Sequence, residues 1–148
     1  MCTEKKGSVK FTIQYGCSGI DWFKVAEILR VVGMENYESA VYKTAFENSH
    51  TTVFAFDQNR LVGFGRALSD GVYQAAIYDV AVHPEYQRKG LGKMIVENII
   101  NRLPGCSIIL FSSPGKEDFY RKFNFRKLMT GMARFNDPGK MMNGGFIE

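Results

Sequence analysis

Apolar and polar residues alternate along Val9-Lys10-Phe11-Thr12-Ile13-Gln14-Tyr15, the period-two pattern of a half-buried strand. The period then changes. Phe23, Ala26 and Leu29 recur at helical spacing between Trp22 and Val32, Asp21 stands where an N-cap is needed and Gly33 closes the run, which predicts a first helix. A second helix is predicted from Tyr37 to Glu47, capped by Asn36. Thr51 to Phe56 and Leu61 to Leu68 are rich in β-branched and aromatic residues and are separated by Asp57-Gln58-Asn59, so they read as a hairpin, with the next turn at Asp70-Gly71.

Tyr73 to Val82 is longer and nearly continuously apolar, as a central strand would be. It stops at His83-Pro84, because proline cannot donate to a ladder. After a glycine-rich turn, Leu91, Met94, Ile95, Ile99 and Leu103 give one apolar helical face, ended by Pro104-Gly105. Ser107 to Phe111 reads as a strand buried on both faces. A short helix over Lys116 to Asn124 and a last strand over Phe125 to Phe135, bent near Gly131, complete the pattern. The order predicts a mixed α/β fold with antiparallel strands first and a crossover near the end. Neither repeat nor linker interrupts it, so residues 1–148 are expected to form a single domain.

Composition excludes more than it selects. With 45% hydrophobic and 23% charged residues the chain is an ordinary globular one. Cys2, Cys17 and Cys106 are odd in number and lack metal-binding spacing, so neither a disulfide framework nor a metal is expected, and reduced thiols suggest a cytoplasmic protein. A leader is not expected, because no apolar h-region follows the charges of Glu4, Lys5 and Lys6; nor is a membrane partner, because no apolar run approaches the ~20 residues of a span. The net charge of +4 is spread among acidic residues, which argues against a nucleic-acid partner. Arg88, Lys89 and Lys93, however, crowd around one turn and suggest a small anion.

Gly90 and Gly92 open the helix after the central strand. Several backbone N–H groups of residues 88–93 therefore lack intrahelical partners, and the helix dipole favours negative charge there. The turn reads as a pyrophosphate cradle. Two rival glycine motifs fail: a P-loop needs Gly at 87 and Ser or Thr at 94, where Gln87 and Met94 stand, and a dinucleotide fingerprint needs a small residue where Ile95 stands.

The segment Val80-Ala81-Val82-His83-Pro84-Glu85-Tyr86-Gln87-Arg88-Lys89-Gly90-Leu91-Gly92 resembles the acetyl-CoA motif of the GNAT N-acetyltransferase superfamily, Q/R-x-x-G-x-G/A. Asp118-Phe119-Tyr120-Arg121-Lys122-Phe123-Asn124-Phe125 is similar to that family's F-Y-x-x-x-G-F segment, with Asn124 in place of glycine, a mild departure because asparagine tolerates left-handed backbone. The resemblance implies a central, mostly antiparallel sheet flanked by helices, with an acetyl-CoA cleft between two splayed parallel strands. It implies that main-chain groups of Val80 and Val82, around Ala81, pair with the pantetheine arm, and that Gln87, Arg88, Lys89, Gly90, Leu91, Gly92 and Lys93 form the pyrophosphate loop. Tyr120 is then the hydrogen-bond donor to the departing thiolate. A free amine of pKa ~10.4 is neutral in only about one molecule in two thousand at pH 7, so a base is required. Asp79 is the first candidate, directly or through water, ahead of Tyr78 and Glu117. The expected acceptor is a primary amine of a small molecule. Alternatives are a protein or peptide amine, or an idle acetyl-CoA-binding regulatory module. Two readings stay open for the tail from Asn136, a loose end or packing across a homodimer.

Overall fold

The computed structural model describes residues 10–148, so Cys2 and the expected strand start at Val9 lie outside the described residues. Contacts group these residues into two compact units, one ending at Ile109 and one running from Leu110 to Glu148.

The first unit is a five-stranded sheet in the order β1-β2-β3-β4-β5. β1 (Phe11–Tyr15) pairs antiparallel with β2 (Thr51–Asp57), β2 with β3 (Arg60–Ser69), and β3 with β4 (Gln74–Val82). Only β5 (Ser107–Ile109) is parallel to its neighbour, and its ladder with β4 is short, from Gln74 opposite Ser107 to Ala76 opposite Ile109. The hairpin between β2 and β3 turns on Gln58-Asn59, with Gln58 at φ +53°. Between β3 and β4 the Asp70 carboxylate accepts from the N–H groups of Val72, Tyr73 and Gln74 at 2.8–3.1 Å, and these bonds hold it below the usual carboxylate range.

Two helices lie between β1 and β2. α1 (Trp22–Val31) starts as its sequence predicts, with Asp21 Oδ1 accepting from the N–H groups of Phe23 at 3.0 Å and Lys24 at 3.4 Å. α2 (Ser39–Glu47) begins two residues later than predicted, with Glu38 rather than Asn36 at its N-cap and no side-chain cap. A local side-chain contact explains the delay: the Tyr37 N–H donates to the Tyr42 hydroxyl at 3.0 Å, which holds the chain out of the helix. The core on this side is aromatic, with Phe46, Phe54 and Phe64 all fully buried and Phe46 ring-to-ring with Phe54 at 5.5 Å and Phe64 at 5.7 Å.

α3 (Leu91–Asn101) covers the other face. Alternation along β3 sends Phe64 to the α1–α2 side and leaves Gly63 and Gly65 facing α3. A Cβ on Gly63 would stand 2.9 Å from Ile95 Cδ1 and 3.1 Å from the Ala81 carbonyl oxygen, and one on Gly65 would stand 2.8 Å from Ile99 Cδ1. The two glycines let the helix rest almost on the strand backbone.

The second unit departs further from expectation. α4 (Glu117–Arg121) is the core of the predicted 116–124 helix, and the chain leaves it through Asn124 at φ +67°, the left-handed conformation that asparagine tolerates. The predicted strand over 125–135 is not formed among the described residues. Leu128 folds back onto Gly131, where a Cβ would meet Leu128 Cδ2 at 2.9 Å, so the chain reverses instead of running extended. Leu128, Met129 and Met132 stay 59%, 84% and 98% exposed, without the buried face that a strand needs. Nor is the tail loose, because α5 (Pro138–Asn143) occupies it, with Asp137 Oδ1 accepting from the Lys140 N–H at 3.0 Å and Pro138 in the first turn.

Ile95 and Ile99 are fully buried, so a methyl group at either glycine has nowhere to go. Gly63→Ala and Gly65→Ala are each expected to destabilise the protein by about 1–3 kcal/mol. The readout is a lowered urea midpoint at unchanged slope; an unmoved midpoint would show that the helix seat is not tight.

Candidate active site

The first site is built where β4 ends. His83 Nδ1 accepts from the Glu85 N–H at 3.2 Å and caps a single 3-10 turn, Pro84–Tyr86. Gln87 leaves that turn and donates from Nε2 to the Val82 carbonyl at 3.0 Å, tying the loop back to the strand. Arg88 is left-handed at φ +63° and Gly90, the N-cap of α3, at φ +79°. The helical ladder begins only with the Met94 N–H donating to the Gly90 carbonyl at 3.1 Å. Among the described residues, the N–H groups of Arg88, Lys89, Gly90, Leu91, Gly92 and Lys93 donate to no protein acceptor. A Cβ built on Gly90 meets nothing within 4 Å, so nothing crowds the turn at that residue.

The charges around the cradle are solvent-exposed. Arg88, Lys89 and Lys93 are exposed, Lys93 lies 3.8 Å from Glu97 one helical turn on, and Lys89 Nζ sits 5.4 Å from the Tyr86 ring centroid. Such an exposed i,i+4 pair holds a lysine only weakly, so Lys93 can swing to an arriving anion.

The second feature is the edge of β4. The His83 N–H donates to the Val62 carbonyl at 2.8 Å, which marks Gly63 and Val82 as a non-hydrogen-bonded pair. Val82 therefore turns its main-chain groups away from β3. Ala81, opposite Phe64, turns its own towards β3 and buries its methyl group in the aromatic core. The alternation sends the groups of Val80 outward again. Because β5 pairs no further than Ala76, no strand among the described residues covers this stretch of edge.

Between the paired and the free stretches lies a bulge. The register shifts so that Asp79 and Val80 together face Gly65, with Asp79 at φ +56°. Arg66 Nε donates to Asp79 Oδ2 at 2.7 Å, and both side chains are largely buried, at 16% and 14% exposure. Arg66 also donates to Ser49 Oγ at 3.3 Å and lies over the rings of Phe46 at 5.6 Å and Tyr78 at 5.4 Å. The base candidate thus has one carboxylate oxygen committed to a guanidinium. Arg66 was missed from sequence, although one cation and one anion in the middle of adjacent apolar strands is a signal of a cross-strand pair.

In the second unit, Tyr120 is half-buried on α4 between Phe119, at 5.0 Å centroid to centroid, and Phe125, at 6.0 Å. Burial pushes its phenol above the usual tyrosine range, so it stays a donor throughout the neutral range. Glu117, the weaker base candidate, is exposed in the first turn of the same helix.

Comparison with known proteins bears on this geometry. The family description "Acetyltransferase (GNAT) domain" matches residues 48–127, a stretch that holds the bulge, the cradle and Tyr120. The chain is 34% identical over 120 residues to an uncharacterised N-acetyltransferase, ycf52, of Porphyra purpurea, a match covering 76% of this chain and 69% of that protein. To serotonin N-acetyltransferase 2, chloroplastic, of Oryza sativa subsp. japonica it is 28% identical over 143 residues, covering 90% of this chain and 72% of the relative. A GNAT family acetyltransferase from Streptococcus pneumoniae superposes with a TM-score of 0.73 at 25% identity, over 86% of this chain and 98% of its own.

The bulge yields a prediction of its own. Asp79→Ala leaves Arg66 buried without its carboxylate and keeps an alanine in left-handed backbone, and is expected to cost about 3–5 kcal/mol in urea unfolding. Asp79→Gly loses the same ion pair but not the backbone fit, so it should be the milder change. Equal midpoints for the two variants would show that the positive φ carries no strain.

Proposed function

The chain belongs to the GNAT acetyltransferase family and is an N-acetyltransferase, and from that premise we propose that it takes its acetyl group from acetyl-CoA and passes it to the primary amine of a small molecule. One observation carries the donor half: six consecutive backbone N–H groups, from Arg88 to Lys93, have no acceptor among the described residues, at a helix N-terminus with three cations beside them. A diphosphate fits that donor set. The amides would hold it, with Arg88, Lys89 and Lys93 adding charge. The outward main-chain groups of Val80 and Val82 would hold the pantetheine arm as an added strand, while Ala81 keeps β4 on β3.

When bound, acetyl-CoA supplies an activated acyl thioester, and this chain's own residues supply positions for protons. Asp79 has one oxygen on Arg66 and the other without a donor among the described residues, so we assign it the removal of the amine proton through a water on that second oxygen. Tyr120, a phenol protonated at neutral pH and pushed further up by burial, is assigned hydrogen-bond donation to the departing sulfur. The small-molecule class draws support from the relative named for serotonin acetylation and from the aromatic side chains that α1 and its connection to α2 expose, Phe23 at 78% and Tyr37 at 53%. Residence in the cytoplasm, expected from the unpaired cysteines, belongs to the same proposal.

Titration calorimetry with acetyl-CoA, followed by an amine panel scored by thiol release, tests both halves. Heat on titration and release with at least one small amine are expected; neither heat nor protection against thermal unfolding would remove the donor assignment. Tyr120→Phe should lower kcat roughly 10²-fold with acetyl-CoA binding retained, and an unchanged kcat would take the phenol out of the mechanism.

A further inference from the structure

The cradle contains a conformation that it does not itself pay for. Arg88 is not glycine, yet it is left-handed at φ +63°, which costs an ordinary residue roughly 1–2 kcal/mol. It follows Tyr86 by two residues and precedes the glycine cap of α3 by two, so its geometry must be imposed from both ends. The α3 end is fixed by the helix seat on Gly63 and Gly65. At the other end stands Tyr86.

Tyr86 is 9% exposed although its neighbours Glu85, Gln87, Arg88 and Lys89 are all exposed. Its ring packs edge-on against Phe11 at 6.0 Å and His83 at 6.2 Å. Its hydroxyl donates to Asp57 Oδ2, the last residue of β2, at 2.6 Å. Arg60, the first residue of β3, lies 5.4 Å from the ring centroid and pairs with Glu85 at 3.0 Å, while Lys89 approaches the same ring at 5.4 Å. The β2–β3 hairpin end thus grips the 3-10 turn at two points, and the ring in turn holds one of the cradle's lysines.

We infer that Tyr86, anchored by Asp57, is a positioning residue that sets the Arg88–Lys93 amides in the geometry a diphosphate needs. It touches no reacting atom and acts only through the loop it anchors. The inference rests on the acetyl-CoA reading above and adds to it the residue pair on which donor affinity depends.

Two donors separate this role from a general one. Acetyl-CoA carries the diphosphate; S-acetylpantetheine has the same thioester without it. Tyr86→Phe keeps the ring and removes only the bond to Asp57, and is expected to raise the Kd and KM for acetyl-CoA roughly tenfold while kcat stays within about twofold. With S-acetylpantetheine, kcat/KM should match the wild type. Asp57→Ala should weaken acetyl-CoA in the same direction, and the double variant should be no worse than the weaker single variant, because both changes remove one bond. An unchanged acetyl-CoA Kd in Tyr86→Phe overturns the inference, as does an equal loss with both donors, and Asp57→Ala decides the question if the tyrosine variant does not fold. A wild-type protein that takes up no acetyl-CoA would overturn the donor reading and this inference together, and is told apart because the failure is then the parent's.

Discussion

The close contact between α3 and β3 is the constraint on which the rest hangs. Gly63 and Gly65 carry no side chain at the two positions where Ile95 and Ile99 descend, so the helix axis lies nearer the sheet than any larger residue would allow. A helix seated there has its first turn level with the end of β4, separated from it by the eight residues from His83 to Gly90. The unpaired amides of that turn and the uncovered edge of β4 are therefore held in one rigid unit. Moving the helix outward would move the cradle away from the strand that its ligand must follow.

β4 serves two masters, and the bulge reconciles them. Up to Ala76 it is an interior strand, paired on both sides; beyond that it is paired only with β3. Asp79 absorbs the change of register in a left-handed backbone, and its carboxylate is tied across to Arg66, whose guanidinium reaches Ser49 just beyond α2. A largely buried ion pair of this kind contributes little net stability over an apolar packing, because desolvation offsets most of the attraction. Its value lies in specifying one local arrangement of the strand.

Polar groups are divided accordingly. Arg66 and Asp79 are buried and matched, whereas Arg88, Lys89 and Lys93 are exposed and matched loosely or not at all. Solvated, weakly held cations can reorganise around an anionic ligand at small cost, since they give up little when they turn to it. Tyr120 follows a third pattern, a half-buried phenol between two aromatic rings on a short helix, its pKa raised by burial.

Local patterns were legible wherever one short stretch of chain carries the whole reason for its conformation. Asp21 caps α1, Asn124 takes the left-handed backbone that its motif requires, and the glycines after β4 leave amides unpaired, each from interactions a few residues long. By the same logic, Asp137-Pro138 was a readable helix start, and the glycines around it obscured it. Side-chain contacts that periodicity does not report, some local and one between strands, decided the remainder. The delayed start of α2 depends on Tyr37 meeting Tyr42, the missing strand over 125–135 on Leu128 folding onto Gly131, and the partner of Asp79 on a register shift opposite Gly65. Periodicity reports which face of a segment is apolar. It does not report which neighbour that face, or a charge within it, will find, because that choice is made by how side chains pack in three dimensions, within a turn at Tyr37 and Leu128 and between strands at Asp79.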